Sequence, residues 1–90
     1  MREKVIEKFF VEQVKKAGGK SYKFTSPMCR GVSDRVACMP NGEAWFVELK
    51  APDGKMSELQ KMFANDMAWL QQRYACLRSK EEVMEWISQF

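Results

Sequence analysis

Three side chains near the middle of the sequence could do hydrolytic chemistry together: Asp34, and the pair Glu48 and Lys50 two residues apart. Whether they meet depends on the turn between them. Met39-Pro40-Asn41-Gly42 has the chemistry of a type I turn closed by a left-handed residue, because Pro suits i+1, Asn suits i+2 and Gly accepts φ > 0 at i+3. This predicts a β-hairpin whose loop is Pro40 to Gly42 with a G1 bulge. Met39 then faces Glu43, Val36 faces Phe46 and Asp34 faces Glu48. Side chains alternate along a strand, so Lys50 joins Asp34 and Glu48 on one face while Trp45, Val47 and Leu49 point to the other. A two-residue type I′ loop at Asn41-Gly42 would set Asp34 against Leu49 instead, so the turn type decides the chemistry.

Opposed residues on an antiparallel pair have Cβ atoms roughly 4.5–5.5 Å apart. Two carboxylates that close repel and raise one pKa, and a divalent cation removes the conflict. Hard oxygen ligands without His or Cys favour Mg²⁺ or Mn²⁺. A lysine two residues along can touch a metal-bound water or a phosphate. The alternative is an ordinary solvated hairpin face with a surface ion pair, since Glu-x-Lys triplets are common. On either reading these polar-face residues are expected to bury little surface.

The sequence has no histidine, which excludes Ser-His and Cys-His catalysis, His-based metal fingers and nucleases with a histidine base. Cys29, Cys38 and Cys76 are odd in number, widely spaced and without a Cys-x-x-Cys pair, so neither a disulfide framework nor a zinc site is indicated; reduced, mostly buried thiols are expected. Chemistry is left to carboxylates, lysines and a metal. Ninety residues suggest one small domain of limited core, 1–90, for which association with a second copy is expected. The 46% hydrophobic and 30% charged residues describe an ordered globule. No apolar run approaches the ~18 residues of a membrane span, and MREK leads into an amphipathic pattern rather than a signal peptide. A cytoplasmic location is expected.

The net charge of +3 is too mild alone to imply nucleic acid. Its distribution is more informative: Lys15, Lys16, Lys20, Lys23, Arg30 and Arg35 fall close together with Tyr22 and Phe24 interleaved and no glutamate between Glu12 and Glu43. Such a stretch could follow a phosphate backbone, or be solvated charge on a helix end and a strand edge.

The elements that must position these groups follow from periodicity. Ile6, Phe10, Val14 and Ala17, flanked by Phe9, make the stripe of a helix from Arg2 to Ala17, ended by Gly18-Gly19. At about 100° per residue, Glu7 lies on the edge of that stripe. Glu3, one turn earlier, is the competing acid. Ser21 to Thr25 is a short strand, and Met28 to Ser33 a loop in which Gly31 is free to approach a ligand. Ala51-Pro52-Asp53-Gly54 turns into a second helix, where Ser57-Glu58-Leu59-Gln60 has capping-box spacing and gives Gln60 a structural job. Leu59, Phe63, Met67 and Leu70, with Met62 and Trp69, form its apolar face. Tyr74 to Arg78 is a strand, and Ser79-Lys80-Glu81-Glu82 opens a last helix lined by Val83, Trp86, Ile87 and Phe90. The order α-β-β-β-α-β-α predicts an α+β fold: a mixed four-stranded sheet flanked by helices. Trp69, Trp86, Ile87 and Phe90 are more large apolar surface than one thin sheet readily covers, which suggests a homodimer, unless these aromatics complete the monomer's core.

In their order and separation, Glu7, the run GGKSYKF, Gly31-Val32-Ser33-Asp34, Glu48-Leu49-Lys50 and Ser57-x-x-Gln60 resemble the VRR-NUC branch of the PD-(D/E)XK nuclease superfamily, with small archaeal and phage Holliday-junction resolvases as relatives. The resemblance covers nearly the whole chain. It implies a restriction-endonuclease-like core in which Asp34 and Glu48 bind Mg²⁺ or Mn²⁺ with help from the Leu49 carbonyl, Lys50 orients or activates water, and Glu7 and Gln60 complete the site. The implied activity is metal-dependent hydrolysis of DNA phosphodiester bonds, on branched DNA such as Holliday junctions or flaps, by a homodimer. Two departures stand out: Ser33 where Pro is usual, which leaves the backbone at Asp34 less fixed, and Arg73-Tyr74 where Gly is often found. A non-catalytic module using the same basic face on nucleic acid or a protein is the rival. A sugar-phosphate or nucleotide hydrolase is the third reading, weakened by the absence of a Gly-rich phosphate loop.

Overall fold

The computed structural model describes residues 2–90. Helix α1 (Glu3–Lys16) is followed by β1 (Lys20–Lys23), β2 (Arg35–Cys38) and β3 (Ala44–Leu49), then α2 (Glu58–Trp69), β4 (Tyr74–Leu77) and α3 (Lys80–Ile87). The strands form one mixed sheet in the order β1-β2-β3-β4, with β1–β2 and β2–β3 antiparallel and β3–β4 parallel. The element order and sheet class agree with the sequence. Expected ends shift by one or two residues: β1 starts at Lys20 and stops before Thr25, although Phe24 N–H still bonds to the Asp34 carbonyl at 2.9 Å.

Local chemistry explains the boundaries. α1 ends in a Schellman turn, with Gly18 at φ +87° donating to Lys15 O and Gly19 donating to Val14 O. The β2–β3 loop is Pro40 to Gly42: Gly42 has φ +89°, its N–H bonds to Met39 O, and Met39 N–H bonds to Glu43 O at 2.8 Å. Val36 pairs with Phe46 and Cys38 with Ala44. α2 carries the full reciprocal capping box of Ser57 and Gln60. At α3 only half of the expected box forms, because Ser79 Oγ accepts from Glu82 N–H while the Glu82 carboxylate accepts from Arg78 N–H.

The two faces of the sheet differ. On one, α1 and α3 bury Ile6, Phe10, Val14, Val83 and Trp86 against Ala37, Val47, Leu49 and Leu77. Trp86 stacks near Phe10 and Phe90, and Ile87 and Phe90 pack against this core. The expectation that Trp86, Ile87 and Phe90 leave an uncovered surface is therefore corrected: α3 amphipathicity turns them inward. The other face is partly roofed by α2, which buries no residue; it meets the sheet through Phe63, beside Phe24, Phe46 and Tyr74. Leu59, Met62, Trp69 and Leu70 of this region stay exposed, Trp69 at 84%. No helix among the described residues is long and apolar enough to cross a membrane.

Candidate active site

Asp34 immediately precedes β2, and extending the Val36–Phe46 register by one step on that face sets it opposite Glu48. Its Oδ2 accepts from the Leu49 backbone N–H at 2.8 Å, which ties the first strand's acid to the second strand's backbone. Glu48 is a buried charged side chain, 1% exposed, so the expectation of a solvated polar face is wrong for this residue. Its Oε2 accepts from Gln60 Nε2 at 3.0 Å and lies 3.7 Å from Lys50 Nζ. The hairpin, the strand end and α2 thus bring Asp34, Glu48, Lys50 and Gln60 together.

Gln60 serves both readings at once. Its Oε1 accepts from Ser57 N–H and its backbone N–H donates to Ser57 Oγ, closing the helix cap. With its carbonyl end so used, the amide nitrogen is directed at Glu48. The capping box therefore orients a polar group in the site.

Burial, followed by the charge of Asp34, pushes the Glu48 carboxyl up to about 8, against the opposing pull of Lys50; Glu3 adds a smaller upward push. A buried acid facing a second acid is what a hard divalent cation would stabilise in its ionised form. Among the described residues no group of three or more His, Cys, Asp or Glu side chains gathers as metal ligands. The donors on hand are a carboxylate pair and neighbouring backbone oxygens, all hard, and this set fits Mg²⁺ or Mn²⁺.

The acids of α1 divide differently from the sequence reading. Glu7 Oε2 accepts from Arg35 Nε at 3.0 Å, on the α1 side of the sheet. Glu3 is the α1 acid whose charge is felt at Glu48. β4 contributes two neighbours that the sequence did not single out: Cys76, level with Glu48 in the parallel pair, and Tyr74. Burial raises the pKa of both, and the Glu48 charge adds to it. Strand periodicity alone could have put them on this face.

The loop into Asp34 is held more firmly than expected. Ser33 is fully buried and its hydroxyl donates to Arg35 O at 3.3 Å, supplying a restraint where a proline would have given stiffness. Gly31, at φ +85°, lies against α2: a Cβ there would sit 2.5 Å from Leu59 backbone atoms. Its close approach is to the helix rather than to a ligand. Arg73 pairs with Glu43 at 3.5 Å, and its carbonyl accepts from Phe46 N–H, so β4 is started by these contacts without a glycine.

The basic residues are dispersed. Lys15 and Lys20 border one depression with Val11, Gly19 and Ser21, while Arg35 borders another with Lys4, Glu7 and Lys8. Arg30 lies beside Leu59, Met62 and Asp66 of α2. Alternation sends Lys20 to the face of the carboxylates and Lys23 to the opposite face. Lys16 and Lys23 are exposed. Cys29 and Cys38 are exposed and Cys76 partly buried, which corrects the expectation of mostly buried thiols; all three are free.

No family model matches the chain. A relative described as "Putative nuclease p44", from Acyrthosiphon pisum secondary endosymbiont phage 1, is 52% identical over 60 residues, 67% of this chain; the chain spans 64% of that protein's length. A solved structure titled "VRR_NUC domain" superposes with a TM-score of 0.90 at 22% identity, covering 98% of this chain and 96% of the other. The chain therefore has the VRR_NUC fold.

Proposed function

We propose, from a chain that has the VRR_NUC fold and resembles a phage protein named as a nuclease, that it is a metal-dependent endodeoxyribonuclease acting on branched DNA such as Holliday junctions or flaps. One observation carries the reading: a carboxylate buried to 1% exposure, facing a second carboxylate, with a lysine at 3.7 Å and an amide at 3.0 Å. Burying an acid beside another acid is costly for a fold and useful for holding a cation.

In this reading Asp34, Glu48 and the Leu49 carbonyl would hold Mg²⁺ or Mn²⁺. Such a cation supplies a bound water of lowered pKa and offsets charge on the phosphoryl group. The chain's own residues do the rest. Water adds to phosphorus and gives up one proton, the bond to one bridging oxygen breaks, and that oxygen leaves as a hydroxyl after taking up a proton from solvent, so that the water's proton is balanced. Lys50, as an ammonium, orients the water and stabilises charge on the pentacovalent phosphorus. Gln60 keeps the Glu48 carboxylate aimed. Of the two candidate acids of α1, Glu3 completes the site through its charge at Glu48, whereas Glu7 holds Arg35 on the α1 side of the sheet. Lys15, Lys16, Lys20, Lys23, Arg30 and Arg35 supply phosphate contacts on more than one side.

The working unit in this proposal is a homodimer, since one site cuts one strand per encounter and a two-fold pair matches a four-way junction. Support for an interface comes from the exposed Leu59, Met62, Trp69 and Leu70 on and just after α2. The purified chain, incubated with labelled four-way junctions, flaps and linear duplexes in Mg²⁺, Mn²⁺ or EDTA, should cut branched DNA with metal only. Sedimentation at micromolar concentration should give a dimer; a strict monomer making paired symmetric nicks would remove the dimer. Binding without cutting in every metal would favour the non-catalytic module.

A further inference from the structure

The face of the sheet that carries the carboxylates is only partly roofed by α2. Its three cross-strand rows differ in cover. Phe24, Asp34 and Glu48 form the row of the site; Tyr22, Val36 and Phe46 form the next; Lys20, Cys38 and Ala44 form the last. Phe24 and Phe46 pack with Phe63 of α2, each ring pair within 6.3 Å. Tyr22 lies outside this cluster and is 51% exposed, and all three residues of the last row are exposed. An open shelf thus runs from the site toward the hairpin loop.

Two features give the shelf a chemistry. The Lys20 ammonium sits 5.2 Å from the centre of the Tyr22 ring, so a cation and a half-exposed aromatic are held together on a strand. Beyond the Asp34 and Glu48 pair, no position of these rows is acidic. An aromatic face flanked by positive charge is how proteins hold unpaired nucleotides, the ring stacking on a base and the cation meeting phosphate. Successive rows on one face are about 6.8 Å apart, so Tyr22 stands roughly one nucleotide from the carboxylate row.

We propose that Tyr22, with Lys20, is a base-stacking platform that binds an unpaired nucleotide next to the scissile phosphate, and so selects DNA with a single-stranded arm over fully paired duplex. The inference rests on the nuclease reading and names the substrate feature that site takes. The ring has little structural work to do at 51% exposure, whereas the aromatics of the α2 cluster are needed for packing.

The test is fluorescence anisotropy in EDTA, where binding is read without cleavage, using a splayed-arm duplex, an oligo-dT strand and a blunt duplex. Tyr22→Ala should bind the splayed arm and oligo-dT about tenfold more weakly and the blunt duplex as wild type does. Tyr22→Phe should keep wild-type affinity for all three. Lys20→Gln should flatten the salt dependence by about one ion. If Tyr22→Ala melts early, Tyr22→Leu, which keeps apolar bulk without a π face, carries the comparison. Equal affinity of wild type and Tyr22→Ala for the unpaired probes, with metal-dependent cutting intact, overturns the platform and leaves the nuclease reading standing. An equal loss on all three probes, or a changed sedimentation coefficient in Tyr22→Ala, also overturns it, as a general contact or a contact between copies. A wild-type protein that neither binds nor cuts any DNA overturns both readings.

Discussion

The two faces of the sheet divide the labour. The α1/α3 face is dry and closed, with Ile6, Phe10, Val14, Val47, Leu49 and Val83 fully buried. The α2 face has no fully packed helix above it, yet it holds the buried Glu48. The Glu48 carboxyl can be kept there because the Gln60 amide and the Lys50 ammonium face it rather than aliphatic carbon, while burial and the neighbouring Asp34 charge hold its pKa up at about 8. In the proposed reading the closed face carries most of the stability and the α2 face the catalytic groups, so that the first offsets the electrostatic cost of burying Glu48 on the second.

The sharpest way to break this comparison is paired truncation. Phe10→Ala should cost about 3–5 kcal/mol, as for a fully buried aromatic, and Phe63→Ala roughly 1–3 kcal/mol. Thermal unfolding decides it: similar losses would mean that α2 contributes as much as the closed face.

A smaller effect is expected at the loop that leads to Asp34. Gly31→Ala forces a Cβ into Leu59 backbone at a left-handed φ and should cost about 1–3 kcal/mol while lowering cleavage. Gly42→Ala has the same backbone handicap but nothing within 4 Å of the new Cβ, so it should cost less and leave cleavage near wild type. Equal cleavage by the two variants would show that the loop's seat on α2 does not position the site.

The pH dependence of stability sharpens the electrostatic side. Glu48 has an ordinary value of 4.5 and a folded value of about 8, so between these limits the folded state holds the proton more tightly. Its contribution is greatest below about pH 4.5 and is lost as pH rises toward 8. In EDTA the melting temperature should fall over that range, the fall should shrink in Glu48→Gln, and Mg²⁺ should restore more stability at pH 8 than at pH 6. A wild-type profile identical to that of Glu48→Gln would contradict the buried charge.

The smallest effect compares helix ends. α1 closes with Gly18 at φ +87°, whereas α2 places Gln71 at φ +58°, where a side chain is disfavoured. Gln71→Gly should raise stability by up to ~1 kcal/mol, measured by urea unfolding; a loss would show that the Gln71 side chain contributes contacts worth more than the strain.

Much of this was legible in the sequence wherever the determining chemistry is local. Pro40, Asn41 and Gly42 specify their loop within four residues, and that loop alone sets the register that opposes Asp34 and Glu48. Ser57 and Gln60 announce a cap three residues apart. What was not legible depends on contacts distant in sequence. Glu48 reads as a solvated strand residue until α2 folds over it, and Glu7 is drawn to Arg35, 28 residues away. The lysines and arginines between positions 15 and 35 look like one patch in the sequence, but strand alternation and separate elements distribute them. Trp86 and Trp69 are similar letters in similar helices; only packing against Phe10 and Trp45 buries the first.

The central claim is that the Asp34, Glu48 and Lys50 constellation cuts DNA. The most direct measurement is cleavage of a labelled four-way junction or flap in Mg²⁺ by wild type, Glu48→Ala and Lys50→Ala, with DNA affinity measured in parallel in EDTA. Wild type alone should cut, with affinity retained by both variants and with folding verified by circular dichroism because Glu48 and Lys50 are more buried than surface residues. Asp34→Asn should weaken metal binding and cutting together. Folded Glu48→Ala and Lys50→Ala proteins that cut as fast as wild type would contradict that claim.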